Sequence, residues 1–139
     1  MKYLFLILGT FFFIQSSFTK ENPLWLRYPA ISPDGQEIVF SYKGDLYKVN
    51  AGGGTAYPLT LHEGRDFMPV WSPDGQSIAF ASERYGNYDV FLIPSDGGQA
   101  KRLTHHSAND YPSHFSPDGQ QVLFSSSRFD DHRNQQFPS

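Results

Sequence analysis

Ser72-Pro73-Asp74-Gly75 is the middle one of three identical tetrapeptides, the others being Ser32-Pro33-Asp34-Gly35 and Ser116-Pro117-Asp118-Gly119. They are separated by 40 and then by 44 residues, measured from proline to proline. Proline sets φ for the second position of a type I turn, aspartate suits the third, and glycine adopts the left-handed conformation that closes a three-residue hairpin. Each tetrapeptide is therefore predicted to form the tip of a β-hairpin.

The similarity between the repeats extends beyond these turns. Each tetrapeptide is followed by glutamine and an apolar stretch, and three further motifs of the first repeat recur 44 residues later in the second. The apolar stretches are Ile38-Val39-Phe40, Ile78-Ala79-Phe80 and Val122-Leu123-Phe124, and the recurring motifs are Asp45-Leu46-Tyr47 with Asp89-Val90-Phe91, Gly53-Gly54 with Gly97-Gly98, and Leu59-Thr60 with Leu103-Thr104. Several features that keep one register indicate a repeated structural unit.

Each repeat is predicted to contain four short strands. In the second repeat these are an incoming strand near Val70-Trp71, an outgoing strand from Ser77 to Ala81, a third from Asp89 to Ile93 and a fourth near Ala100 to Thr104. The second repeat is four residues longer than the first, between its second and third strands, where an insertion belongs in an exposed hairpin loop.

Four strands in about 40 to 45 residues is the period of a β-propeller blade. We therefore expect an all-β fold, a partial β-propeller of about two and a half four-stranded blades at residues 25–60, 65–104 and 109–139. Leucine-rich and helical repeats have other periods, and a sandwich would not repeat its own sequence so closely. The third blade lacks its last two strands, so this chain is not expected to close a ring by itself.

The first 19 residues have the pattern of a secretory signal peptide. Lys2 precedes an apolar run from Tyr3 to Ile14, and small polar residues follow, with cleavage expected after Thr19. The run is shorter than the roughly 20 residues that cross a membrane. We expect a periplasmic or extracellular protein, with residues 22–139 forming the propeller and no stable membrane anchor after cleavage.

Composition excludes several other functions. The 11 basic residues are scattered and the net charge is −3, which argues against nucleic acid as a partner. The absence of cysteine excludes disulfides, thiol catalysis and thiolate metal sites. No motif for a cofactor is found in the sequence.

The repeat resembles the propeller repeats of TolB and of the tricorn proteases. The stretches that show this are Pro69-Val70-Trp71-Ser72-Pro73-Asp74-Gly75, Ile78-Ala79-Phe80, and Gly97-Gly98 through Arg102-Leu103-Thr104. Within that group the chain is most similar to secreted bacterial tricorn-like serine peptidases, through residues 26–35, 42–47, 82–90 and 107–112.

The resemblance implies a function without a catalytic site. In tricorn-like peptidases the propeller comes first, and a PDZ-like module and a serine-peptidase domain follow later in the chain. The family's catalytic serine and histidine have no matching positions in this sequence, so none is assigned. The implied role is a propeller wall that guides or gates peptide substrates, with peptides or proteins as partners.

Two other functions remain open from the sequence. The chain could instead belong to a TolB-like, non-enzymatic propeller that binds envelope proteins, because fold alone does not determine function. It could also be a remnant that ends at Ser139 and exposes strand edges. The segments Tyr42-Lys43-Gly44-Asp45 and Arg84-Tyr85-Gly86-Asn87 favour the peptidase.

Three sets of polar residues were weighed as possible chemical sites. His105, His106 and His114 lie near Asp110 in the sequence, but they lack the short regular spacing of zinc motifs. The serines of the tetrapeptides recur once per blade, unlike a catalytic nucleophile, and are expected to accept hydrogen bonds in their turns. The aspartates of the tetrapeptides are expected to brace their own turns through backbone N–H groups rather than bind calcium, and the same is expected of Asp45 and Asp89.

The aromatic residues at matching points of the repeat are predicted to fill the core between blades. They are Trp25, Phe40, Trp71, Phe80, Phe115 and Phe124. Residues of hairpin tips and inter-blade loops are better placed to touch a partner, because loops are exposed. The candidates there are Tyr85, Asn87, Tyr88 and Asn109.

Overall fold

A computed structural model describes residues 25–128, and the expected signal peptide lies outside this range. The described chain contains strands and turns, and none of its segments is a helix long and apolar enough to cross a membrane. The strands are β1 Arg27–Ile31, β2 Glu37–Tyr42, β3 Asp45–Asn50, β4 Tyr57–Pro58, β5 Asp66–Trp71, β6 Ser77–Ser82, β7 Asp89–Pro94, β8 Lys101–Arg102, β9 Asp110–Phe115 and β10 Val122–Ser126.

These strands form three antiparallel sheets that follow the repeats. Strands β1 to β4 form one four-stranded sheet in chain order, β5 to β8 form a second, and β9 pairs with β10. The first strands of neighbouring sheets, β1, β5 and β9, pack beside one another in that order. The all-β prediction is confirmed, with two four-stranded blades and the first hairpin of a third.

The Ser-Pro-Asp-Gly tetrapeptides lie at the tips of the hairpins that join the first and second strands of each blade. In the second blade, the Gly75 N–H donates to the Ser72 carbonyl over 2.9 Å, and Gly75 has a φ of 71°. The Ser72 Oγ accepts the Ser77 N–H at 2.9 Å and donates to the Asp74 carboxylate at 2.6 Å. That carboxylate also accepts the Gln76 N–H at 3.0 Å.

The same hydrogen bonds occur in the other two tetrapeptides. The serine hydroxyl to aspartate distance is 2.6 Å for Ser32 with Asp34 and 2.5 Å for Ser116 with Asp118. The connection is wider than the expected three-residue hairpin, because the Ser32 N–H donates to the Glu37 carbonyl while the Glu37 N–H donates to the serine side chain. A side-chain oxygen thus replaces one backbone acceptor of the ladder.

The first strand of each blade carries a β-bulge that the sequence did not reveal. In β1 and β5 the bulge includes Tyr28 and Met68, whose φ angles of 52° and 54° lie in the left-handed region. In β9 the corresponding residue is Pro112, whose ring prevents a positive φ. The register there shifts one residue later, at Ser113.

The hydrophobic core lies between the first two blades. It is built from Val39 and Leu46 of the first blade with Trp71, Ile78 and Phe80 of the second, joined by other buried side chains. Five apolar side chains buried at one junction stabilise it by several kcal/mol, at about 25 cal/mol per Å² of buried surface. The Trp71 indole N–H donates to the Ala30 carbonyl across the junction at 3.1 Å.

The aromatic core prediction is right in part. Phe40, Trp71 and Phe80 are buried, whereas Phe115 and Phe124 of the third sheet are half-buried. Trp25 was wrongly placed in the core, since 70% of its surface is exposed. It precedes β1 and lies outside the strands of the first sheet.

Asp45 and Asp89 do not brace their own turns, so that prediction is wrong. The Asp89 carboxylate accepts hydrogen bonds from Thr104 at 3.2 Å and from Arg102 at 2.6 Å, both at the end of the same blade. Asp45 accepts the Thr60 hydroxyl at 3.3 Å and the His62 N–H at 3.1 Å. These partners are 13 to 17 residues away, and they fasten the last segment of the blade to its third strand.

Candidate binding face

One end of the blades collects the loops that vary between repeats. Antiparallel strands alternate in direction, so the start of β1, the turn from β2 to β3 and the linker from β4 to β5 lie at the same end. The corresponding parts of the second blade lie there too. The Ser-Pro-Asp-Gly turns lie at the opposite end.

Backbone hydrogen bonds join neighbouring blades at this variable end. The Asp66 N–H donates to the Gly44 carbonyl at 2.7 Å, and 44 residues later the Asp110 N–H donates to the Tyr88 carbonyl at the same distance. Both aspartate side chains are fully buried. Asp66 pairs with Arg84 at 2.7 Å, and Asp110 pairs with Arg128.

A pocket of about 630 Å³ opens at the junction of the first and second blades. One wall is the start of β1 with the turn from β2 to β3, and the other is the linker into β5. The side chains that line it include Trp25, Arg27, Tyr28, Tyr42, Lys43, Glu63, Arg65 and Asp66. We call this cavity the first-junction pocket.

Three cations of the first-junction pocket stand over aromatic rings. The Arg27 guanidinium lies 5.5 Å from the Trp25 ring centre, and the Lys43 ammonium lies 5.2 Å from that of Tyr42. The Arg65 guanidinium lies 5.3 Å from the Phe67 ring. Within residues 25–128 these three cations form no ion pair with a carboxylate. A cation–π contact holds a cation in place while leaving its N–H donors free to bind an anion.

The equivalent space between the second and third blades is filled. Phe67, Tyr88 and Tyr111 pack there with ring centres 5.0, 5.6 and 5.9 Å apart. Burial, together with the neighbouring Glu83 carboxylate, raises the pKa of the Tyr88 hydroxyl above its ordinary value of 10.0. Tyr88 occupies the position that Gly44 holds in the first repeat, so a tyrosine in place of a glycine supplies the side chain that closes this junction.

Three of the four residues predicted to touch a partner also make contacts inside the molecule. The Asn87 side-chain amide donates to the carbonyls of His106 and Ala108 at 2.9 and 3.0 Å. The Asn109 side chain accepts the Tyr88 N–H at 3.0 Å. These contacts join the second blade to the linker before the third, while Asn109 itself stays exposed, and their contact with a partner stays a prediction.

Tyr85 is exposed, as expected for a loop residue, but it also packs on its own blade. Its ring is parallel to that of Phe91 at 6.1 Å, and the Arg102 guanidinium lies 4.5 Å from its centre. Arg102 in turn pairs with Asp89. Tyr85 therefore covers a buried ion pair.

The histidines near Asp110 take part in separate local contacts. The His106 Nδ1 accepts the Ala108 N–H at 3.0 Å, and the His114 ring bonds the Ser113 hydroxyl at 2.8 Å. Burial acts to raise the pKa of Asp110, but hydrogen bonds from Arg128, Ser126 and Thr104 outweigh it and lower that pKa. Over residues 25–128, no three His, Asp or Glu side chains are grouped to hold a metal ion.

The bulged first strands form a second concave surface, which encloses a shallow cavity of about 370 Å³. Proline recurs on all three of these strands, as Pro29, Pro69 and Pro112, beside Tyr28 and Met68. Proline lacks a backbone N–H, so this surface offers few donors to a passing chain. A strand that points fewer unpaired donors outward is a poor template for β-pairing.

These features define a β-propeller, and comparison with known proteins specifies its family. Residues 23–138 match the family of the tricorn protease N-terminal β-propeller domain. The chain therefore belongs to that family, which confirms the resemblance drawn from the repeats.

Three individual proteins illustrate the similarity. A TolB homologue of Chlorobium luteolum is 40% identical over 55 residues, which are 38% of this chain and 13% of that protein. The structure of a putative TolB from Agrobacterium tumefaciens superposes with a TM-score of 0.67 at 33% identity, covering 78% of this chain and 40% of the other. The crystal structure of the tricorn protease gives 0.66 at 24% identity, covering 76% and 11%, a likeness of fold alone.

Proposed function

We propose that this chain is the N-terminal propeller portion of an exported, tricorn-like serine peptidase. In this role it guides or gates peptides toward a catalytic domain located elsewhere in the protein, and it contributes no catalytic residue. The observation that supports the proposal most is the family match over residues 23–138. The chain spans 40% or less of the proteins described above, so the activity of the whole protein is part of the proposal.

The geometry suits a passive wall better than a reaction centre. The serines that recur at the turns are engaged with their aspartates, and no histidine lies among their hydrogen-bond partners in the described residues. A nucleophilic serine needs a base within hydrogen-bond reach. Two places are instead suited to contact a peptide. They are the proline-lined surface of the first strands and the first-junction pocket.

A TolB-like binding protein is the second candidate function. It is supported by sequence identities of 33% to the putative TolB structure and 40% to the TolB homologue, against 24% for the tricorn protease. In that case the same propeller would bind envelope proteins and the full-length protein would have no hydrolytic activity.

Peptide hydrolysis by the full-length protein separates the two candidates. We expect the purified full-length protein to cleave fluorogenic peptides and to lose this activity after treatment with a serine-directed organophosphate. The matched control is the same protein incubated with a cysteine-directed reagent, which should leave the activity intact. A full-length protein that cleaves none of a broad panel of peptides would refute the peptidase and favour the binding protein.

A further inference from the structure

We propose that the first-junction pocket binds acidic peptide segments, with Lys43, Arg65 and Arg27 pairing with glutamate or aspartate side chains. This assignment goes beyond the proposed function, because it applies equally to a peptidase and to a binding protein. Its test measures binding and needs no activity.

The charge of the pocket is unbalanced toward cations. Asp66 also lines it, but its carboxylate pairs with Arg84 at 2.7 Å. Glu63 then remains as a lining carboxylate beside three cations that have no ion-pair partner in residues 25–128. Cations held over aromatic rings lose less freedom when an anion binds, because the ring already restricts the side chain.

The second junction shows that an open pocket is not a necessary feature of this repeat. Gly44, Arg65 and Arg27 occupy the positions that Tyr88, Asn109 and Phe67 hold 44 or 40 residues later. The later residues close their junction with rings packed edge to face and with a hydrogen bond to the Asn109 side-chain amide. At the first junction, a Cβ atom added to Gly44 would meet no atom within 4 Å. The first junction therefore has a glycine and two arginines in place of packing residues, and these arginines have no ion-pair partner in residues 25–128.

The walls of the pocket favour a peptide over other anions. Trp25 and Tyr28 expose 70% and 41% of their surfaces beside the cations, and such rings pack well on apolar side chains and peptide groups. Inorganic phosphate would leave these rings unused. A nucleic acid needs an extended basic surface, which a chain of net charge −3 with scattered basic residues does not provide.

The turn that contains Lys43 offers a variant that separates binding from folding. Lys43 and Gly44 have φ angles of 52° and 100°, so they form a two-residue hairpin turn of the type that prefers Asn-Gly. The change Lys43→Asn removes the charge while improving the turn. Asparagine is also the residue type that the second repeat has at the equivalent position, Asn87.

The experiment uses calorimetry on the full-length protein with a capped hexapeptide of alternating glutamate and phenylalanine. We expect binding that weakens between about 0.1 M and about 0.5 M salt, as for contacts between exposed charges. Lys43→Asn should weaken it about fivefold, the upper end for one exposed ion pair. Adding Arg65→Gln should weaken it about twentyfold in total, if the two sites are independent.

Two controls make the result specific. Lys101→Glu changes an exposed charge on β8, away from the pocket, and should leave the affinity unchanged. The same hexapeptide with glutamine in place of glutamate should bind far more weakly. Equal affinity of the wild type and the double variant, or binding of inorganic phosphate or of an oligothymidine in preference to the hexapeptide, would overturn the proposal.

Discussion

The serine and aspartate of each Ser-Pro-Asp-Gly turn form a small hydrogen-bonded unit that titrates with the carboxylate. The serine hydroxyl, followed by a backbone N–H two residues after the aspartate, lowers the pKa of Asp34, Asp74 and Asp118 below 3.8. A lowered pKa in the folded state means that these carboxylates stabilise the fold above about pH 4. That contribution is lost as the pH falls through the lowered values.

Removing one serine hydroxyl tests this unit. In the variant Ser72→Ala we expect the pKa of Asp74 to rise toward its ordinary value, because the strongest hydrogen bond to its carboxylate is gone. The Ser77 N–H also loses its acceptor. The carboxyl carbon shift of Asp74, followed by NMR against pH, measures the change.

Asp34 provides the internal control for this titration. It lies in its own turn with Ser32, so its pKa should be the same in Ser72→Ala as in the wild type. An unchanged pKa for Asp74 in the variant would mean that the serine hydroxyl does not stabilise the carboxylate.

Residue roles differ in how far the sequence could predict them. The contacts inside a tetrapeptide turn join residues at most five apart, which local chemistry determines. Asp89 is different, because its partners are 13 and 15 residues away: Arg102 lies in strand β8 and Thr104 follows the end of that strand. Asn87 likewise bonds residues 19 and 21 positions later. Such partners become visible only when the strands of a blade and the linkers between blades are assembled.

At the scale of the elements, a threonine holds the end of each of the first two blades. Its side chain makes the hydrogen bonds that a further pair of backbone groups would otherwise make. The Thr104 hydroxyl accepts the Val90 N–H at 3.0 Å and donates to Asp89, and Thr60 repeats both contacts with Leu46 and Asp45. This explains why β8 is shorter than the fourth strand expected between Ala100 and Thr104. The threonine side chain therefore completes the hydrogen bonding of the sheet at the point where the backbone pairing ends.

We expect Thr104→Val to destabilise the protein by about 1 to 3 kcal/mol, because a buried N–H and a buried carboxylate each lose a partner without a change in side-chain volume. Urea denaturation of the full-length protein measures the free energy of unfolding. Thr104→Ser keeps the hydroxyl and should cost clearly less. If the valine and serine variants were equally stable, the hydroxyl would have no role in ending the blade.

The strands themselves could be predicted well because the sequence repeats. Because the first and second repeats share one sequence register, the bounds of the second and third strands of the second blade were predicted to within one residue. The bulges of β1 and β5 could not be predicted, because Tyr28 and Met68 are not residue types that favour a positive φ. The first-junction pocket was missed for a related reason. Its signal was the exchange of Tyr88, Asn109 and Phe67 for Gly44, Arg65 and Arg27, which has meaning only once the second junction is seen to be filled.

At the scale of the whole molecule, the first and third sheets are the outer ones in residues 25–128. Each has an apolar face that is turned away from the second blade, which lies between them. Ile31 is 61% exposed, whereas Trp71 at the same point of the second blade is 8% exposed. Leu123 of the third sheet is 65% exposed, whereas Ala79 at its matching position is fully buried. For each of these two exposed residues, the matching residue of the second blade is buried, because the second blade has a neighbour on both sides.

We expect further blades of the full-length protein to cover both faces, since a propeller buries each blade against its neighbours around a closed ring. The central claim is that this chain is one section of such a wall. The absence of cysteine from these 139 residues allows single reporter thiols to be introduced here.

The most direct test is the rate of maleimide labelling of Ile31→Cys and Leu123→Cys in the full-length protein. Tyr57→Cys, on the outer strand β4 where the tyrosine is 67% exposed, is the accessible reference. We expect both interior thiols to react at least about a hundredfold more slowly than this reference, because labelling would require the blades to separate. Labelling of both positions at the rate of the reference would show that no blade covers these faces, and would contradict the assignment of this chain to a propeller wall.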